Sequence, residues 1–178
     1  DHLIESFVRS FNLPAVILRP FNTYGPRQSE KAVIPSIIRQ TVDPLIKSIS
    51  AGNLNTKRDF NYVTDTVEAF IKLAEAEESL IEYGKAYNSG TGIAVKIADI
   101  LDKVLKLSNS KKNIVKVKER IRPKSSEVEF LLASSDRINK LTGWKPKVNI
   151  DEGLKLTLEW WKKRLRKKSI RSSKNYAI

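Results

Sequence analysis

The chain has 178 residues, 40% hydrophobic and 30% charged, with a formal net charge of +13, a balance that describes a folded protein with a sizeable core rather than a disordered one. Zero cysteines exclude disulfides, thiolate metal sites and cysteine nucleophiles, and the single histidine, His2, leaves no basis for a histidine metal cluster or a Ser-His-Asp triad, so no metal site is expected. The charge is unevenly placed: residues 162–178 carry eight Lys and Arg and no acid, leaving +5 for the other 161 residues. Such a tail can bind nucleic acid or an anionic membrane surface through counterion release. The simpler reading is a solvated, frayed end, and no nucleic-acid partner is expected. Apolar runs are too short to span a bilayer, so no membrane partner is expected either. No charged-then-apolar leader opens the sequence, and a cytoplasmic location is the expectation.

Residues 3–11 place Leu3, Ile4, Phe7, Val8 and Phe11 on the stripe of an amphipathic helix, which ends where Pro14 disfavours a helical Leu13. The apolar run 15–18 reads as a buried strand. It empties into Arg19-Pro20-Phe21-Asn22-Thr23-Tyr24-Gly25-Pro26-Arg27-Gln28, and a strand ending in such a loop is where open α/β sheets place ligand sites. Ile34-Pro35 opens a helix through Ile37, Ile38 and Val42, with proline suited to the first turn, and Pro44 stops it. Residues 45–50 and 58–63 read as short strands, the second with Phe60 and Tyr62 on one face and Asp59 and Asn61 on the other. Asp65-Thr66-Val67-Glu68 has the form of a capping box that starts a helix. A brief strand at 86–88, a turn at Ser89-Gly90-Thr91-Gly92, and a helix marked by Ile97, Ile100, Leu101 and Val104 follow. An edge strand at 114–117, extended chain after Arg122-Pro123, a short helix near 135–141 and a final helix over 151–166 complete the pattern.

Taken singly, the polar motifs have ordinary structural explanations. Arg58 beside Asp59 fits a surface ion pair worth about 0–1 kcal/mol, Asn22 a turn residue, and Arg122 a solvated loop position. Glu127 and Glu129, two apart on extended chain, share a face and read as structural rather than as an acid–base pair. Trp144 and Trp161 read as core anchors. Four signatures nevertheless occur in order: residues 19–28, Arg58-Asp59-Phe60-Asn61-Tyr62-Val63-Thr64-Asp65, Tyr87-Asn88-Ser89-Gly90-Thr91-Gly92, and Arg120-Ile121-Arg122-Pro123 followed by Gly143-Trp144-Lys145-Pro146. Together they resemble the C-terminal half of extended short-chain dehydrogenases/reductases of the NAD-dependent nucleotide-sugar epimerase/dehydratase family. With Ala32-Val33-Ile34-Pro35 added, the wording is most similar to the 4,6-dehydratases of legionaminic-acid type pathways.

The resemblance implies an α/β fold. Residues 1–33 would be the C-terminal part of a Rossmann-type doubly wound sheet and 34–165 mainly a small α/β substrate-binding domain, with some segments returning to the sheet; 166–178 is a basic tail. It implies NAD as cofactor, with Pro20 and Phe21 flanking the nicotinamide, and a nucleotide-diphosphate sugar as substrate. Asn22 falls on the position that donates an amide to the sugar or its phosphate, and Val33 and Ile34 on the base pocket. Arg58 and Arg122 fall on two phosphate-contacting positions, a role suited to a guanidinium, which stays charged and binds oxyanions in a fork. Asn88 would be a ribose-side or structural contact. The resemblance further implies a homodimer through helices that include residues 1–11. No catalytic residue is expected in this chain, because neither a Gly-rich phosphate loop nor a helical Tyr-x-x-x-Lys occurs in it. In relatives that helix runs into the segment that begins here at Asp1. The chain alone is therefore expected to be inactive, as half of a 4,6-dehydratase or alternatively of a 4-epimerase. A basic nucleic-acid-binding module and a truncated remnant are the readings from other classes.

Overall fold

The computed structural model describes residues 1–120 and 123–167. In chain order the elements are α1 (His2–Phe11), β1 (Ile17–Pro20), α2 (Val33–Val42), β2 (Ser48–Ala51), β3 (Lys57–Asp59), α3 (Val63–Ala74), β4 (Ala86–Ser89), β5 (Ala94–Lys96), α4 (Ile97–Ser108), β6 (Asn113–Lys116), β7 (Phe130–Leu131), α5 (Asp136–Thr142) and α6 (Ile150–Arg166), with short 3₁₀ turns between some of them. The fold is mixed α/β, and its registered strand pairs β1–β4, β2–β6 and β3–β7 are all parallel.

Contacts divide the chain into two compact units, each assembled from separate segments. The first comprises Asp1–Thr23, Asp59–Ala94 and Leu132–Val148. Its parallel pair β1–β4 sets Ile17 opposite Ala86 and Pro20 opposite Ser89. Ala69 and Leu73 of α3, Tyr87 of β4, Ile138 of α5 and Trp144 form its core, with Val16, Leu18 and Leu141 packed against them. The Trp144 indole N–H donates to the Asp65 carbonyl at 3.0 Å, so the largest core side chain is also hydrogen-bonded.

The second unit comprises Tyr24–Arg58, Val95–Leu131 and the chain from Asn149. It holds the β2–β6 pair and the sheet ordered β5-β3-β7, against which Lys57 faces Phe130. Helices α2, α4 and α6 pack on one another, and Ile38, Ile49, Ile100, Val104 and Leu154 are fully buried. Gln40 ties α2 to β2: its Oε1 accepts the Ser50 N–H at 2.8 Å. Among the described residues no helix is long and apolar enough to cross a membrane.

Two local expectations need correcting. The helix assigned to the capping box begins two residues earlier, at Val63, with no side-chain cap. Asp65 instead accepts the backbone N–H of Val148 at 3.0 Å. The strand expected over 58–63 stops at Asp59, and Asp59, Phe60, Asn61 and Tyr62 are all buried, so no face alternates. The stripe on α1 is real, but no α1 residue is buried; Leu3 is 70% and Phe11 72% exposed. Helical periodicity fixes an element's type, not whether its apolar face finds cover.

Trp144→Phe removes the bond to the Asp65 carbonyl and leaves a void. It should destabilise the protein by about 2 kcal/mol, read as a lower urea midpoint at unchanged m-value.

Candidate functional site

In the first unit, the chain leaving β1 stays close to β4: the Phe21 N–H donates to the Ser89 carbonyl at 2.9 Å. Pro20 is exposed, while Phe21 and Asn22 are half-buried. The Asn22 amide donates to the Asp59 carbonyl at 2.8 Å. Thr23 and Thr66 hydroxyls meet at 2.9 Å, and Asn61 donates to the same Thr66 oxygen at 3.0 Å. Asn61 Oδ1 and Ser89 Oγ are buried without a hydrogen-bond partner among the described residues, and buried polar atoms of that kind normally meet water or a ligand. This end of the β1–β4 pair therefore combines polar side chains with a half-buried aromatic ring. Pro20 and Phe21 fit one wall for a flat heterocycle; the sequence holds no phosphate loop to go with it.

Asp59 organises this region, and the sequence reading gave it no such role. It is fully buried. Its Oδ1 accepts the Thr91 N–H at 2.9 Å and hydroxyl at 2.6 Å, and Oδ2 accepts the N–H groups of Gly92 at 2.9 Å and Ala133 at 3.2 Å. A Cβ at Gly90 would lie 2.4 Å from the Ala133 Cβ and 2.9 Å from Asp59 Oδ2, so only glycine fits. Asn88 makes a different set of contacts from Asn22. Its amide donates to the Ser134 carbonyl at 3.4 Å, and it lines a groove of about 620 Å³ with Tyr87, Ser134, Arg137 and Lys140.

In the second unit, Val33 opens α2 and lines a cavity of about 140 Å³ with Ser36, Ala51, Leu54, Arg120 and Glu127. Ile34, its neighbour, is 1% exposed and belongs to the core instead. Arg58 does not pair with Asp59. Its Nη2 lies 3.2 Å from Glu127 Oε1, both side chains being 14% exposed, and its Nη1 donates to the Lys57 carbonyl at 2.9 Å. Glu129 is exposed, and its carbonyl accepts the Lys57 N–H at 2.8 Å. Glu127 and Glu129 thus serve different neighbours. Arg120 donates to the Ser50 carbonyl at 2.6 Å, and a Cβ at Gly52 would meet the Arg120 carbonyl oxygen at 2.2 Å, so strand β2 and residue 120 approach backbone to backbone. Arg122 lies outside the described residues.

The second unit therefore brings Val33 and Glu127, the partner of Arg58, to one cavity whose walls mix apolar side chains with Ser36, Asn53 and Arg120. A sheltered guanidinium–carboxylate pair interacts more strongly than a surface one. Glu127 carried no sequence signal beyond a charge in extended chain; only the fold puts it against Arg58. Among the described residues no group of three or more His, Cys, Asp or Glu could hold a metal ion.

The profile of the family described as GDP-mannose 4,6 dehydratase matches residues 1–157. Human dTDP-D-glucose 4,6-dehydratase is 32% identical over 162 residues, covering 89% of this chain and 45% of that protein. Among solved structures, the UDP-glucuronic acid 4-epimerase from Bacillus cereus in complex with UDP-glucuronic acid and NAD is similar with TM-score 0.82 and 26% identity, over 91% of this chain and 49% of that one. RMD from Pseudomonas aeruginosa complexed with NADPH gives TM-score 0.79 and 26% identity, over 92% and 53%. The chain spans about half the length of these relatives.

Asp59→Asn puts an amide N–H₂ where backbone N–H groups now point. It should cost about 2–3 kcal/mol of stability, and Gly90→Ala about 1–3 kcal/mol through the clash; guanidinium unfolding measures both.

Proposed function

The chain belongs to the GDP-mannose 4,6-dehydratase family, and we propose that it is the nucleotide-sugar-binding half of an NAD-dependent nucleotide-sugar 4,6-dehydratase. The observation that carries this reading is the sheltered Arg58–Glu127 pair, with Glu127 and Val33 lining one cavity of the second unit. In that role Arg58 holds a pyrophosphate oxygen while Val33 and its neighbours border the base. Asn22 and Arg122 are proposed contacts to the sugar or its phosphates, and Asn88 a supporting residue on β4. Pro20 and Phe21 would border the nicotinamide of NAD, which supplies the hydride acceptor when bound.

The overall reaction of the whole enzyme removes hydride from C4 of the sugar and the proton from its hydroxyl, eliminates water across C5–C6, and returns hydride to C6 and a proton to C5. Residues of this chain bind and orient the substrate in it. With no Tyr-x-x-x-Lys helix and no Gly-rich loop in its sequence, the chain alone is inactive in this reading. The 4-epimerase remains the second reading, favoured by the likeness to the Bacillus cereus epimerase. The uncovered stripe of α1, where the Phe7 and Phe11 rings lie 5.3 Å apart, is the proposed contribution to a homodimer.

The chain should bind one of UDP, dTDP or GDP, or the matching nucleotide sugar, by calorimetry, without turnover when NAD is added. Arg58→Ala should weaken that binding roughly tenfold or more, while Arg137→Ala, on the first unit's groove, should leave it unchanged. A folded chain that binds none of these nucleotides, or an Arg58→Ala variant with wild-type affinity, would overturn the proposal.

A further inference from the structure

In the second unit the C-terminal turns of α2, α4 and α6 frame a groove of about 880 Å³. Helix C-termini present unpaired carbonyls that attract cations, and part of the positive charge here does that work internally. Lys112 donates to the carbonyls of Gln40 at 2.7 Å and Asp43 at 2.6 Å. Arg39 is held by Glu30 and lies 4.0 Å from Asp43. Other cations are unaccounted for: Lys162 and Arg166 on the groove, and Lys47 nearby in sequence, have no carboxylate partner among the described residues.

Apolar surface stands among these charges. Leu45 is 86% exposed, although its backbone N–H is fixed by Asp43 Oδ1 at 3.0 Å, so the leucine is held outward by a built turn. Val42 and Leu165, both half-buried, continue the apolar strip along the groove. Beyond Arg166 the sequence adds Lys167, Lys168, Arg171 and Lys174 and no acid.

We propose that this end of the second unit is a docking surface for an anionic lipid bilayer, with Leu45 entering the headgroup boundary while Lys162, Arg166 and Lys47 meet lipid phosphates. Lysines and arginines beside an exposed leucine match an interfacial contact, in which apolar insertion and attraction to anionic lipid act together. A nucleic acid would use the same cations but gain nothing from Leu45. The ring on this helix that could stack a base, Trp160, already carries the Arg164 guanidinium 5.1 Å from its centroid. The expectation of no membrane partner rested on the lack of a spanning run, which peripheral docking does not need.

The test is co-sedimentation of the chain with vesicles of phosphatidylcholine alone or mixed with phosphatidylglycerol, at low and high salt. The chain should sediment only with the mixed vesicles and be released by salt. Lys162→Glu with Arg166→Glu should lower the partition coefficient by about tenfold or more, and Leu45→Ser by roughly threefold or more. Phe70→Ser, on the exposed face of α3 in the first unit, should change nothing. Equal sedimentation with both vesicle types, none with either, or loss on Phe70→Ser alone would overturn the proposal. So would tight binding to duplex RNA that is indifferent to Leu45→Ser, together with displacement from vesicles by that RNA, because the surface would then be a nucleic-acid site. Circular dichroism of each variant separates loss of docking from loss of fold.

Discussion

Asp59 is fully buried, and a carboxyl group in that position is tolerable because four hydrogen bonds replace the water it gave up. Three of the donors are backbone N–H groups, of residues 91, 92 and 133, so the carboxylate fixes main chain rather than side chains. It pins the turn after β4 and the approach to α5, segments more than thirty residues apart in sequence. Its own carbonyl takes the Asn22 amide, which ties the loop after β1 to the same residue. Gly90 is the steric counterpart: any side chain there would push Ala133 and the carboxylate apart. One buried side chain thus ties the loop after β1, the turn after β4 and the approach to α5 together.

The second unit solves a related problem differently. Arg58 and Glu127 keep 14% exposure each, so neither charge is fully desolvated, and their mutual attraction needs to offset only part of a solvation loss. The Lys57 N–H bond to the residue 129 carbonyl fixes the backbone before Arg58, and the Arg58 Nη1 bond to the Lys57 carbonyl steadies the guanidinium. What results is a cation with a defined direction and some remaining access, the state the proposed phosphate contact needs. A fully buried pair could not open to a ligand, and a fully exposed one would not be oriented.

The periodic elements were legible from the residues: α1, α2, α4 and α6 follow their apolar spacing, and Pro35 and Pro44 bracket α2 as proline chemistry requires. β1 was legible as an apolar run ending in a polar loop. Strands β5 and β7, of three and two residues, were not, because so short a stretch has no period and exists only through its pairing with β3. Asp65 looked like a cap because the local motif is right, but a partner 83 positions on, Val148, claims its carboxylate. The candidate site residues divide the same way. Arg58 and Asn22 stood out through the order of motifs, whereas Asp59 and Glu127 act through contacts 32 to 74 and 69 positions distant, which no local pattern contains.

The two units hold their polar groups by different means, one through backbone pinned to a buried carboxyl group and the other through an oriented, accessible cation. The proposed function rests on the second of these, with Arg58 beside Glu127 as the group that would hold a nucleotide sugar for chemistry supplied elsewhere. Amide hydrogen exchange of the chain with and without a bound nucleotide sugar tests that claim most directly. The account predicts slowed exchange at residues 33–37, 50–54 and around 58 and 127, with the core around Tyr87 and Trp144 unchanged. Slowed exchange confined to residues 155–167, or none at saturating ligand, would contradict it.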